Sequence, residues 1–300
     1  MSNLPRKKLE LLLQNVNQLP TLPIVYDRLQ KALSNPLVSV KDVSKVIEQD
    51  QSLTSKLLHI VNSAYYGFPG KISSLSRAIV ILGFNEVKHL TLSISVLSTF
   101  NKQAKGSNFD YSAFWKHSIA VAVLSGIIAK KYCTSKVFSH EEAFVAGLLH
   151  DIGNLIEDQY IADLFTEVLK IQETETKYHW EAEKEVMGFT HEEAGELLAE
   201  KWNLPQVLID TIGFHHTVIA RKSYSAIFPV ISVVHLADII AFALGYGYGH
   251  SSYVSSPVID CVQTVGLKTD DLKEIVEQGI SISEEMYGFL LPNDSSKEHK

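Results

Sequence analysis

Apolar residues recur at three- and four-residue spacing along nearly the whole chain, and the period-two alternation that marks strands is hard to find. That pattern belongs to helices packed through one face, so the expected class is all-α. Proline, glycine and capping residues punctuate it. Pro23 opens a helix over Ile24 to Leu33, and Asn35-Pro36 ends it, because a residue before proline avoids helical backbone. A second helix starts at Ser39 or Val40. Asp50 is placed to cap a third, whose stripe is Leu53, Leu57, Leu58 and Val61. Further helices are expected over Leu75–Leu82, Asn85–Phe100, Tyr111–Lys131, His140–His150, Gly153–Ile171, His191–Trp202, Pro205–Ile212, Phe228–Leu244 and Asp270–Gly288. Thr190 and Glu193 fit a capping box at the start of the His191 helix.

The polar segment Asn101 to Asn108 divides the 300 residues into an N-terminal lobe, 1–105, and a C-terminal lobe, 106–300. The expected architecture is therefore a two-lobed helical fold. With 27 basic against 34 acidic residues and a net charge of −7, the chain lacks the basic footprint of a bulk nucleic-acid binder. Cys133 and Cys261 make no disulfide framework, and Met1 to Glu10 has no apolar region behind it, so a cytoplasmic protein is expected. The most apolar stretch, Ser118 to Ala129, lies between Lys116 and Lys130 and falls short of the about 18 residues a membrane span needs. No membrane span is expected. Gly245 to Ser252 reads as a helix end and flexible loop, and Asn293 to Lys300 as a disordered tail.

Twelve histidines are the feature left to explain. The strongest signal is Gly147-Leu-Leu-His150-Asp151-Ile-Gly153, an imidazole and a carboxylate side by side at the end of an apolar helix. Both are ligands for first-row divalent metals. Gly153 would allow a sharp turn just after them. His117 lies inside another apolar helix, His191 begins a capped one, and His215-His216 follows a third. Asp238 sits in a helix that is apolar nearly all round. A buried carboxylate needs a cation, a donor or a proton, because leaving it unpaired costs several kcal/mol. His59, His89 and His235 read as core-edge residues; His140, His179, His250 and His299 read as exposed.

In this order His117, His150-Asp151, His191, His215-His216 and Asp238 resemble the HD phosphohydrolase superfamily in its six-ligand HD-GYP-like form. The N-terminal half resembles the HDOD domain of bacterial signalling proteins. The residues that carry this are Leu19-Pro20-Thr21-Leu22-Pro23, Glu48-Gln49-Asp50-Gln51-Ser52-Leu53, Leu57 to Tyr66, and Ile72 to Gly83, with HDOD likeness over about 19–212. The resemblance implies two divalent ions. One would take His117, His150, Asp151 and Asp238; the other His191, His215 and His216, with Asp151 bridging. Mixed imidazole and carboxylate ligation suits iron or manganese, with zinc and nickel also compatible. Most HDOD domains resemble non-catalytic relatives that have lost these ligands, whereas this chain keeps them. It departs from the HD-GYP pattern at Asn154, where a phosphate-facing lysine would stand. It also lacks the Gly-Tyr-Pro segment after the paired histidines. Arg221-Lys222 is the candidate replacement charge.

Three functions follow from the resemblance. The first is a metal-containing signalling module that binds a signalling protein or a phosphate-bearing small ligand, with little or no hydrolysis. The second is a phosphohydrolase, for instance a cyclic di-GMP phosphodiesterase, with Asp151 and an activated water as its reacting centre. The third is an iron-based redox or oxygen sensor. For the first, the expected partner face carries Asn62, Tyr66 and Arg77.

Overall fold

The computed structural model describes residues 4–14, 19–100, 107–132, 138–175, 177–223, 226–248 and 256–291. All regular structure among these residues is helical. The chain divides into two compact units: Met1–Thr21 with Phe100–Val276, and Leu22–Thr99 with Glu277–Lys300.

This division corrects the expected lobes at both ends. The first helix, α1 (Leu4–Gln14), belongs with the larger unit. Leu9 is fully buried there, Arg6 pairs with Glu200, and the Trp202 indole donates to the Pro20 carbonyl at 2.8 Å. At the other end, Glu285 accepts from the Ala64 amide at 3.2 Å and Phe289 stacks on His59 at 5.3 Å. Local helical patterning holds no information on which unit a terminal helix joins.

The smaller unit is built from α2 (Ile24–Leu33), α3 (Val40–Ile47), α4 (Gln51–Val61), α5 (Leu75–Leu82) and α6 (Phe84–Thr99). Short polar side chains start its helices. The Ser39 hydroxyl accepts from the Asp42 amide at 3.2 Å and Asp50 accepts from Leu53 at 2.9 Å, satisfying amides the helices leave open. Gly83, at φ +86°, turns the chain between α5 and α6 in a conformation that favours glycine.

The larger unit continues with α7 (Tyr111–Tyr132), α8 (His140–Leu149), α9 (Ile152–Tyr160), α10 (Ala162–Thr174), α11 (His179–Val186), α12 (His191–Lys201), α13 (Gln206–Phe214), α14 (Phe228–Ala241), α15 (Ile259–Val265) and the start of α16 (Thr269–Leu290). The expected helix over Gly153–Ile171 is two helices, because Ile161 leaves helical backbone (φ −135°, ψ 39°) with no proline or glycine to announce it. Helix α11 has no expected counterpart.

Helices α7 and α8 pack side by side, α14 lies against both, and α12 is held by α9 and α13. The expectation of no membrane-length segment needs correcting. Tyr111–Tyr132 and Phe228–Tyr246, where a π-turn extends α14, are long and apolar enough by length and composition to cross a membrane. Lys116 lies within α7 and does not end it. Here 78% and 56% of their most apolar windows are buried inside the fold.

Glycines set how closely these helices approach. A Cβ on Gly147 would stand 2.8 Å from Ser125 Oγ and 2.9 Å from the Val121 carbonyl, so α8 lies directly on α7. A Cβ on Gly153 would stand 1.9 Å from the His191 carbonyl oxygen. The expectation that Gly153 serves a sharp turn is therefore incorrect: it has no positive φ, and what it permits is contact between α9 and α12. Gly153→Ala should lower stability by about 3 kcal/mol, since backbone must move. Gly288→Ala, in a helix with open space around it, should cost nothing or stabilise. Thermal unfolding distinguishes them, and equal Tm values for the two variants would contradict the close-approach argument.

Candidate metal centre

Six helices bring the seven expected ligands together. His117 comes from α7, His150 and Asp151 from the α8–α9 junction, and His191 from the first turn of α12. His215 and His216 follow α13, and Asp238 lies on α14. His117, His150, His191 and His215 are at most 1% exposed.

The imidazoles are aimed by their outer nitrogens. His150 Nδ1 faces the Gly147 carbonyl at 2.7 Å, His215 Nδ1 faces that of Ile212 at 3.0 Å, and His191 Nδ1 faces Glu183 at 2.8 Å. A carbonyl or carboxylate can only accept, so each Nδ1 carries the hydrogen and each Nε2 presents a lone pair inward. These Nε2 atoms, together with that of His117, meet one another and Asp151. His150 Nε2 is 3.0 Å and His117 Nε2 is 3.5 Å from Asp151 Oδ2, and the two rings are 3.3 Å apart at Nε2. His117 Nε2 is also 3.2 Å from Asp238 Oδ1. On the other side, His191 and His215 Nε2 are each 3.3 Å from Asp151 Oδ1 and 3.3 Å from each other. His216 Nδ1 lies farther out, 4.0 Å from Asp238 Oδ2.

These separations fit cation coordination. Bonds of about 2.1 Å place neighbouring donors about 3.0 Å apart at a right angle and about 3.4 Å apart in a tetrahedron. Asp151 Oδ1 is buried without a hydrogen-bond donor, as expected of a ligand atom. The donors form two groups that could each hold a metal ion: His117, His150 and Asp238, and Asp151, His191, His215 and His216. Without a cation, protons take its place. Burial opposes charge on His191, but Glu183 and Asp151 outweigh it and raise the imidazole to about 9. Burial likewise opposes the Asp151 charge, and the surrounding histidines still hold that carboxyl well below its ordinary range.

A second layer was not legible in the sequence. Glu183 on α11 is fully buried, faces His191, and also contacts His179 Nε2 at 2.9 Å. Beside it the Glu157 carboxyl is pushed well above its ordinary range by burial and by the Glu183 charge. Glu192 accepts from the backbone amides of His216 at 2.8 Å and Thr217 at 3.2 Å, fixing that turn. His235, expected at the core edge, is buried and faces the His215 carbonyl at 2.8 Å. His179, expected to be exposed, is only 16% exposed in its side chain and reaches Asn154 Oδ1 at 2.7 Å. Tyr248, from the segment read as loop, donates to Asp151 Oδ2 and accepts from Asn154 Nδ2 at 3.0 Å. His250 and His299 lie outside the described residues.

Asn154 is fully buried and occupied within this network. Arg221 and Lys222 do not replace the expected lysine: Arg221 pairs with Asp210 at 2.7 Å over the Phe214 ring, and Lys222 pairs with Asp260 at 2.7 Å. A cavity of about 70 Å³ opens on the donors, and among the described residues no lysine or arginine lines it. In the smaller unit, Asn62 ties its loop by bonds to Ile72 O and Ile72 N, both at 2.8 Å, while Tyr66 reaches Glu86 and stacks on Phe68. Arg77 is exposed.

An all-helical fold carrying a buried His/Asp centre defines the class. The chain matches the HDOD domain over residues 19–218 and belongs to that family. An uncharacterised Treponema pallidum (strain Nichols) protein is 25% identical over 224 residues, which is 74% of this chain and 42% of the relative; the chain thus spans less than half of it. A solved HDOD domain protein of unknown function from Geobacter sulfurreducens superposes with a TM-score of 0.78 at 26% identity, covering 97% of this chain and 99% of that one. A Shewanella amazonensis SB2B protein, provisionally named a phosphohydrolase, does so with 0.70 at 26%, covering 93% and 97%.

Glu183 orients His191 and raises its basicity as a ligand. Glu183→Gln should therefore weaken metal binding roughly 10- to 100-fold, read by chelator competition. Unchanged affinity would show that Glu183 serves packing alone.

Proposed function

We propose that this chain is a bacterial signal-transduction module that holds two divalent cations and acts by binding a protein or a phosphate-bearing ligand, without appreciable turnover. The carrying observation is Asp151, whose two carboxylate oxygens each face a separate pair of imidazole Nε2 atoms at 3.0–3.5 Å. His117, His150 and Asp238 would complete one ion, and His191, His215 and His216 the other. Iron or manganese suits this mixture of imidazole and carboxylate. Bound there, the cations would supply Lewis acidity and neutralise a phosphate.

Absence of turnover is supported by what surrounds the donors. Phosphodiester displacement needs groups that position substrate and meet the developing charge. The residue in the lysine position, Asn154, is spent on Asp151, Tyr248 and His179, and the neighbouring basic residues pair elsewhere. Tyr248 also holds Asp151 Oδ2 by a hydrogen bond. Partner binding is assigned to the smaller unit, around exposed Arg77, with Asn62 and Tyr66 shaping the adjoining loop.

The phosphohydrolase reading keeps its support in the complete ligand set, and one assay separates the two. Protein loaded with iron or manganese should hydrolyse bis(p-nitrophenyl) phosphate and cyclic di-GMP no faster than Asp151→Ala. Clear turnover by the wild-type chain, abolished in that variant, would make it an enzyme.

A further inference from the structure

The two halves of the centre are not equally supported from outside. On the side of Asp151 Oδ1, the outer nitrogens of His191 and His215 both have acceptors, Glu183 at 2.8 Å and the Ile212 carbonyl at 3.0 Å. Both rings keep their Nδ1 hydrogens in bonds that persist when Nε2 is given to an ion. Oδ1 itself accepts no hydrogen bond among the described residues, so its lone pairs are free.

The side of Asp151 Oδ2 differs at two points. His117 Nδ1 is buried and has no hydrogen-bond partner among the described residues. A neutral ring that ligates through Nε2 must carry its hydrogen on Nδ1, and here that hydrogen would meet no acceptor. An unsatisfied buried N–H lowers affinity by roughly 5- to 150-fold. Oδ2 is also shared. The Tyr248 hydroxyl accepts from Asn154 Nδ2 at 3.0 Å and directs its one hydrogen at Oδ2. Asn154 is held in that orientation, because the same Nδ2 donates to the Asp151 carbonyl at 3.1 Å. Charge works the other way, since the Oδ2 side also draws on Asp238. Asp238 borders the cavity, however, where solvent screens its charge.

We propose that the centre binds its two cations unequally: a resident ion on the Oδ1 side, held by His191 and His215, and an exchangeable ion on the Oδ2 side, held by His117, His150 and Asp238. This rests on the two-ion reading above and adds an order of filling to it. Occupancy of the Oδ2 side would follow the free-ion concentration while the Oδ1 side stays filled.

The test titrates the full chain, stripped of metal and checked by metal analysis, with manganese(II), following the free ion by its electron paramagnetic resonance signal. Carboxylate ligands suit manganese, so it gives Asp238 the greatest weight and is the stringent probe. Binding should resolve into two classes of one ion each, the first at least tenfold tighter. His117→Ala should remove the weaker class alone. Glu183→Gln should weaken the tighter class alone, by roughly 10- to 100-fold, whereas a general loosening of the core would move both. Anomalous scattering from wild-type crystals at one equivalent should place the ion among Asp151, His191 and His215. Two classes of equal affinity, a first ion among His117, His150 and Asp238, or equal loss of both classes in folded Glu183→Gln protein would overturn the order of filling while leaving the two-ion centre intact. Absence of any manganese binding would sink the two-ion reading and this inference with it.

Discussion

The structure of the larger unit depends on one carboxylate. Asp151 stands at the junction of α8 and α9 and is 4% exposed. Its two oxygens face four imidazole nitrogens, each presenting a lone pair or a proton. Bare acceptors at such distances repel, so the core around Asp151 holds together only with positive charge among them. Protons meet that need in the metal-free chain, as the raised His191 shows. Divalent cations would meet it with fewer particles and fixed geometry.

The rest of the fold holds those acceptors in place. Buried glycines let α8 lie on α7 and α9 on α12, which brings His150, Asp151 and His191 within reach of His117 and His215. Backbone carbonyls aim His150 and His215, Glu183 aims His191, and Glu192 pins the turn that carries His215 and His216. Ligands fixed on this many sides are preorganised, and little ordering remains when an ion enters. Tyr248 and Asn154 close the Asp151 side with neutral groups and add no cation toward a phosphate.

Much of this was legible in the sequence because burial makes ionisable residues conspicuous. Asp238 and His117 stand out in helices apolar nearly all round, and the helix bounds follow from capping residues such as Ser39, Asp50 and Thr190. The supporting layer gave no such signal. Glu183 lies in an eight-residue helix of mostly polar composition, where a buried glutamate looks like any surface acid. His179 reads as exposed for the same reason. Tyr248 sits in a glycine-rich stretch whose local pattern says only that the helix ends. Gly153 stands out beside His150-Asp151, but its role in the close approach of distant helices leaves no mark on neighbouring residues. The break at Ile161 and the membership of the terminal helices are likewise set by tertiary packing.

Anomalous X-ray scattering from crystals of the chain, purified without chelator, tests the central claim most directly. Data collected on either side of the iron and manganese absorption edges should show two peaks, one on each side of the Asp151 carboxylate. The first should lie among His117, His150 and Asp238, and the second among His191, His215 and His216. No peak in metal-replete protein, or a single peak remote from Asp151, would contradict the account.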